Sequence, residues 1–402
     1  MSDSSTHSAA GQAGAALFSP PVTSRKGMAG RASSVLLDSL FILPFGCAVA
    51  LLWANTLPES YYIFAHALAF PVNEIGIVLF FALMTKQVVE ATLPGGVLHT
   101  WRRAALPVAA ACGGVVGSIG VYLLFLYFLG EPMLRQTWVV PCAIDIAVCY
   151  LVAGVIFGRH PALPFLLLLA IFSDAIGLAL IATLHPADPG HLALGAALMV
   201  AALASAVGLR RRRFTTFWPY LLVCGTLSWL GLYIGGVHPA LALVPVVPFL
   251  PHATRDAGLF VEPTPQAQDA LTRFERWSKW PVHAVLFMFG VVNAGVPLFS
   301  LEAGSWAVPV ATIVGRPLGV VAATELAIAA GLKRIKGVGW RELLVIGCTT
   351  SVGLAVALFF ATAAMPFGPL LLETKMGALL TVAGAGLAIG LASVLRVGRF
   401  GK

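Results

Sequence analysis

The chain has 402 residues, 59% of them hydrophobic and only 10% charged, with a mean hydropathy of +0.91. A soluble globular protein carries roughly 25% charged residues, so a chain this apolar cannot cover a water-facing surface and lipid must be its main solvent. The formal net charge of +8 falls in short runs between apolar stretches, the positive-inside pattern, which argues against a nucleic-acid partner.

Residues 1–34 are rich in Ser, Ala and Gly, and Arg25, Lys26 and Arg31 follow no apolar h-region. They read as a flexible cytoplasmic tail rather than a signal peptide, with one transmembrane domain from 35 to 402. A spanning helix needs about 20 largely apolar residues. That rule predicts twelve spans, at 36–55, 73–91, 105–129, 137–158, 162–184, 190–208, 216–235, 237–252, 280–300, 305–332, 342–364 and 371–396. The stretch 59–70, with Tyr61, Tyr62 and Phe64, is expected at the outer interface, where aromatic rings are favoured. The eighth span is short and carries Pro239, Pro245, Pro248 and Pro251. Segment 253–279 is the longest internal loop, amphipathic and mixed in charge.

The loops test the count. Arg102/Arg103, Arg159, Arg210–Arg213, Arg273/Arg276/Lys279 and Lys333/Arg334/Lys336/Arg341 occupy alternate loops. The loops between them are nearly free of Lys and Arg, apart from Arg135 and Lys375. The alternation puts both termini in the cytoplasm. Cys47, Cys112, Cys142, Cys149, Cys224 and Cys348 all lie in apolar segments with no CxxC or Cys/His spacing. They read as buried free thiols, not as a zinc site or disulfide framework.

Charges at mid-span are costly and functional by default. Asp174 lies halfway along the fifth span, Arg316 halfway along the tenth, and Asp145 in the fourth just after Pro141. Glu74, Lys86, Glu90, Asn293 and Glu325 join them. The plain alternative is that such ions pair off and staple helices together. Lys86 and Glu90, four apart near a span end, fit a local ion pair or snorkelling as well as function. Glu325, two turns past Arg316, is equally readable as structural, and His238 reads as a helix-end histidine. Two spans look like broken helices: the fourth, with Pro141 beside Asp145, and the eleventh, where VIGCTTSVGLA places Thr349, Thr350 and Ser351 in an otherwise apolar run. Inverted-repeat transporters use such breaks at the midplane, where half-helix ends hold charge.

The blocks TWVVPCAIDIAVCYLVAGVIFGRHP, LLLLAIFSDAIGLALIATL, GGVHPALA, MFGVVNAGVPL, IVGRPLGV and VIGCTTSVGLA, in this order, resemble the NhaA-type bacterial Na+/H+ antiporters, themselves a standard case of inverted-repeat transporters. The likeness runs from about Leu36 to the C-terminus. It implies an all-α fold of about twelve spans with the fourth and eleventh unwound and crossing. It also implies a multi-pass protein of the bacterial inner membrane, serving pH homeostasis by trading Na+ or Li+ for H+. The family tends to form a homodimer through a hairpin after the first span; the corresponding loop here, 56–70, is shorter.

The departures are chemical. The family's adjacent aspartates in the fifth span are Ser173-Asp174 here, its Thr-Asp in the fourth span is Ile144-Asp145, and its intramembrane lysine is Arg316. Glu74 stands where the family has an aspartate, and Gln87 and Glu90 occupy the neighbourhood of its pH-sensing glutamates. A buried carboxylate can hold a proton or a metal cation in turn, so Asp174 is the expected site of the transported Na+, with Ser173 adding a neutral oxygen and Asp145 counted with them in the cation/proton-binding set. Arginine effectively never deprotonates, so Arg316 is expected as a fixed counter-charge facing the negative ends of the broken helices, with Asp145 balancing their positive ends. One carboxylate exchanging one cation for one proton predicts electroneutral transport. The same residues also admit a permanent Arg316–Asp174 pair in a protein that carries another substrate or serves as a non-transporting subunit. No GxSxG, HExxH or phosphate-cradling motif stands in a suitable context, so neither an enzyme nor a cofactor is expected.

Overall fold

A computed structural model describes residues 28–92, 101–158, 160, 162–181, 191–251, 270–298, 301–335, 337–365 and 368–401. The chain divides into two compact units, Met1–Asp38 and Ser39–Lys402. The first is described only as the start of helix α1 (Met28–Thr56), and the second holds the remaining elements. The first 27 residues of the expected tail lie outside the described residues, as does most of the loop 253–279.

The described residues are helical and contain no strand. After α1 come α2 (Pro58–Phe70), α3 (Ile77–Thr92), α4 (Trp101–Leu129), α5 (Ile146–Ile156), α6 (Ala162–Ile181), α7 (Leu192–Arg211) and α8 (Gly225–Ile234). The second half holds α9 (Ala270–Asn293), α10 (Ala303–Val310), α11 (Arg316–Ala329), α12 (Trp340–Thr349), α13 (Leu354–Ala364), α14 (Pro369–Leu380) and α15 (Ala383–Val394). Six stretches among the described residues are long and apolar enough to cross a bilayer, and two bent helix pairs raise that to eight. Ile42–Thr56 and Tyr220–Ile234 are shorter apolar helices. These lengths establish a multi-pass membrane protein without fixing the count at twelve. Large apolar side chains such as Leu52, Val116, Tyr127 and Phe128 face outward, as a lipid-facing surface requires.

Three boundaries differ from expectation. The span predicted at 73–91 begins at Pro58, and a π turn at Pro71–Gly76 joins α2 to α3 in one 33-residue stretch. At about 1.5 Å per residue it is about 50 Å long, more than the hydrocarbon core needs. Within that stretch Tyr61 is packed inside the protein, 1% exposed, whereas Tyr62 beside it is 41% exposed. The Tyr61 hydroxyl reaches the carbonyls of Val291 (3.0 Å) and Val292 (3.1 Å) and accepts from the Gly295 N–H (3.0 Å), closing the end of α9. Segment 237–251 is not an α-helix but a run of turns around Pro239–Leu241 and Val247–Phe249. Its prolines remove the N–H groups an α ladder needs, while i→i+3 bonds such as Val244 N to Leu241 O (2.9 Å) and Phe249 N to Val246 O (3.0 Å) survive. The ninth helix begins ten residues early, at Ala270.

The thiols also differ in one place. Five are buried but Cys112 is exposed, on an outward face of α4 where lipid makes burial in protein unnecessary. Lys375 lies not in a loop but inside α14.

Candidate cation-binding site

Both predicted breaks are present, and they match. The fourth span runs through 3-10 turns (Pro132–Thr137, Val140–Cys142), breaks, and resumes as α5; the eleventh is α12, a break, and α13. Each pair bends by 58°. Pro141 cannot donate an N–H, and Ala143 takes an extended backbone (ψ 143°) that ends the first half. In the second, the hydroxyls of Thr349, Thr350 and Ser351 turn back on the carbonyls of Val345 (2.8 Å), Gly347 (2.9 Å) and Cys348 (2.7 Å). Side chains that satisfy the last carbonyls stop the helix there.

The breaks touch. The Asp145 N–H donates to Val352 O at 2.8 Å, and the Cys149 thiol donates to Thr349 O at 3.2 Å. A Cβ on Gly353 would lie 2.7 Å from Ala143 O, so this crossing admits only glycine. Asp145 is the N-cap of α5, accepting from Ala147 N (3.2 Å) and Val148 N (3.3 Å). The Ala355 N–H, in the first turn of α13, lies against the same carboxylate. One carboxyl group thus meets the N-terminal ends of both second halves, where the helix dipoles favour negative charge.

Arg316 meets a negative end. It is 1% exposed and donates to the Pro141 carbonyl at 2.7 Å, at the end of the first half of the broken fourth span. A π turn at Ala311–Gly315 leads into it; Pro317, without an N–H and crowding the preceding turn, disrupts the α ladder there. Two facing small-residue motifs hold the helix in place, Gly113-xxx-Gly117 on α4 and Gly315-xxx-Gly319 into α11. A Cβ on Gly117 would collide with the Gly315 carbonyl, and one on Gly319 with the Gly113 carbonyl. Nothing in the charge pattern pointed to these glycines; the available signal was the GxxxG spacing, which the sequence also shows at Gly154/Gly158, Gly231/Gly235 and Gly386/Gly390.

Asp174 and Ser173, 5% and 3% exposed, line a small cavity, with room for about one water-sized occupant, together with Phe81, Met84, Cys142, Ala143, Ile144, Gly177, Leu178, Val356 and Phe360. Asp174 Oδ2 is buried and, among the described residues, accepts no hydrogen bond. No ion pair joins Asp174 to Arg316; the guanidinium is taken by Pro141. The closed pair entertained from the sequence is therefore not the arrangement here.

The other candidates stand apart. Asn293 exchanges hydrogen bonds with Asn73 (3.2 and 2.8 Å) and donates to Phe289 O (3.1 Å), a tie between the π turn and α9. Glu74 lies in that turn, its Oε2 3.5 Å from His238 Nδ1. The same nitrogen accepts from Ala240 N at 3.2 Å, the helix-end role expected of His238. Lys86 pairs with Glu90 at 2.7 Å and also with Glu275 of α9 at 2.6 Å, a partner hidden by 189 residues of sequence separation. Glu325 pairs with Arg334 at a partly exposed end.

The model of the family described as Na+/H+ antiporter 1 matches residues 39–393. The chain belongs to the Na+/H+ antiporter 1 family. It is 41% identical over 364 residues to the Na+/H+ antiporter NhaA of Geobacter metallireducens, covering 88% of this chain and 95% of that protein. It is 42% identical over 366 residues to that of Desulfitobacterium hafniense, covering 88% and 94%. In fold it is similar to the sodium proton antiporter from Methanocaldococcus jannaschii, with a TM-score of 0.54 at 17% identity, over 91% of this chain and 98% of that one. Membership of the Na+/H+ antiporter 1 family gives the crossing of spans four and eleven and the cavity at Asp174 a common setting.

Proposed function

We propose that this protein exchanges Na+, or Li+, for H+ one for one by alternating access, with Asp174 as the shared carrier, in the bacterial inner membrane with both termini in the cytoplasm. The observation that carries the reading is Asp174 Oδ2: a buried carboxylate oxygen, without a hydrogen bond, facing a cavity beside the crossed breaks. A carboxylate left bare in an apolar setting is costly, and that cost is offset when a proton or a cation occupies it. Ser173 supplies a second, neutral oxygen on the same wall. Arg316, bound to a carbonyl rather than to Asp174, offsets charge without competing for the carrier. With one carboxylate trading one ion for another, each cycle moves no net charge.

The test is ΔpH formation in proteoliposomes supplied in turn with Na+, Li+ and K+, with and without an imposed potential. The reading expects exchange with Na+ or Li+ that is insensitive to voltage. Voltage-dependent currents would overturn the one-for-one stoichiometry, and exchange that survives Asp174→Asn would overturn the carrier. The double variant Ser173→Asp with Arg316→Lys should become electrogenic; no change in voltage sensitivity would argue against these positions as the site.

A further inference from the structure

The Asp174 cavity contains donors that the Na+/H+ reading does not use. Beside the carboxylate and the Ser173 hydroxyl, two sulfur side chains line the same space: Cys142, 1% exposed, at the break of the fourth span, and Met84, 7% exposed, on α3. Hard cations such as Na+ take oxygen; thiolate and thioether sulfur select soft d10 ions. Nowhere among the described residues do three His, Cys, Asp or Glu side chains converge as a metal site. Zinc, which takes three or four such ligands, is therefore not accommodated. A soft monovalent ion of the Cu+ or Ag+ class is satisfied by two sulfurs in near-linear or trigonal geometry.

We propose that the cavity between Cys142, Met84 and Asp174 is a binding site for a soft monovalent d10 cation, which occupies the carrier position and blocks exchange. The buried, unpartnered Oδ2 of Asp174, a residue of the same cavity wall, is the second observation that separates this site from a lone buried thiol. On binding, the Cys142 S–H bond breaks, an S–metal bond forms, and the proton leaves to bulk water; no electron moves. The thioether binds without losing a proton, and the thiolate alone cancels the charge of the monovalent ion, so the site is neutral when Asp174 keeps its own proton. Affinity therefore rises with pH, as for any site whose thiol must deprotonate. The site rests on the cavity's donors alone and only the block rests on the exchange reading, so the two can fail separately.

The probe is Ag+. Purified full-length protein carrying Cys112→Ala, which removes the exposed thiol, is titrated calorimetrically at two pH values, alone and with Cys142→Ala, Met84→Leu or Asp174→Asn added. Size-exclusion profiles certify that each variant is folded. The expected result is loss of one equivalent of bound Ag+ in Cys142→Ala, and binding weakened by about tenfold, near 1.4 kcal/mol, in Met84→Leu. An unchanged stoichiometry in Cys142→Ala would place the ion on another thiol and overturn the site. If Ag+ binds as expected and no Na+/H+ exchange is ever measured, the site stands and the exchange reading falls. Equal Ag+ sensitivity of exchange in the parent and in Cys142→Ala would overturn the block.

Discussion

Two aspartates sit in adjacent elements of the core, and their surroundings are opposite. Asp145, in the broken fourth span, is partly accessible, yet its carboxylate receives the N–H groups of Ala147 and Val148 and lies against that of Ala355. Asp174, in the unbroken α6, is more deeply enclosed, yet its Oδ2 accepts nothing. Folding stability alone would favour the reverse, since the more buried the polar atom, the more it costs to leave unpaired. The broken helix supplies free N–H groups because its ladder is interrupted, and a carboxylate placed there becomes structural. An intact helix has none to spare, so a carboxylate on it stays available to something that comes and goes.

The contrast is open to test, and the largest effect falls on Asp174. Asp174→Asn should lower Na+-driven proton flux by about two orders of magnitude, the loss expected when a transition-critical group is removed. Thermal unfolding followed by size exclusion should stay level or rise slightly, since a bare buried carboxylate has been removed. A large drop in stability would show that Asp174 is as structural as Asp145. Next in size, Gly319→Val should cost about 3 kcal/mol or prevent assembly, because the added Cβ meets the Gly113 carbonyl; yield and melting of the purified protein measure it. Asp145→Ala should cost about 1–2 kcal/mol by removing a helix cap, visible as a lowered melting temperature. If stability is untouched there, the two aspartates do not differ in kind. Lys86→Met is the smallest, about 1 kcal/mol, because Glu275 is substantially exposed and water can take over its charge.

How much of this was legible depended on how local each signal is. The breaks at Pro141 and at Thr349–Ser351 were readable because a proline and a hydroxyl run act on their own backbone. So was the pairing of Asp145 with positive helix ends, half of which lies within three residues of it. Asp174 and Arg316 were legible as charges at mid-span, but their separation was not, since only the fold brings the Pro141 carbonyl to Arg316 across 175 residues. Glu275 as a second partner of Lys86 was hidden for the same reason. Segment 237–251 misled because hydropathy reports that a stretch is apolar, not whether its prolines leave enough N–H groups for an α-helix. The buried partners of the Tyr61 hydroxyl were hidden likewise, since they lie on a helix 230 residues away.

The Arg316–Pro141 hydrogen bond has an electrical consequence. Its acceptor is a peptide carbonyl, which neither gains nor loses a proton over any physiological range, and its donor is a group that stays charged. The bond is therefore blind to pH and to the protonation of Asp174. It pins a constant positive potential to the first half of the fourth span, and this charge must travel with that half-helix if it moves. Swings in membrane voltage or acidity then act on Asp174 against a fixed background, and not on two groups whose charges shift together.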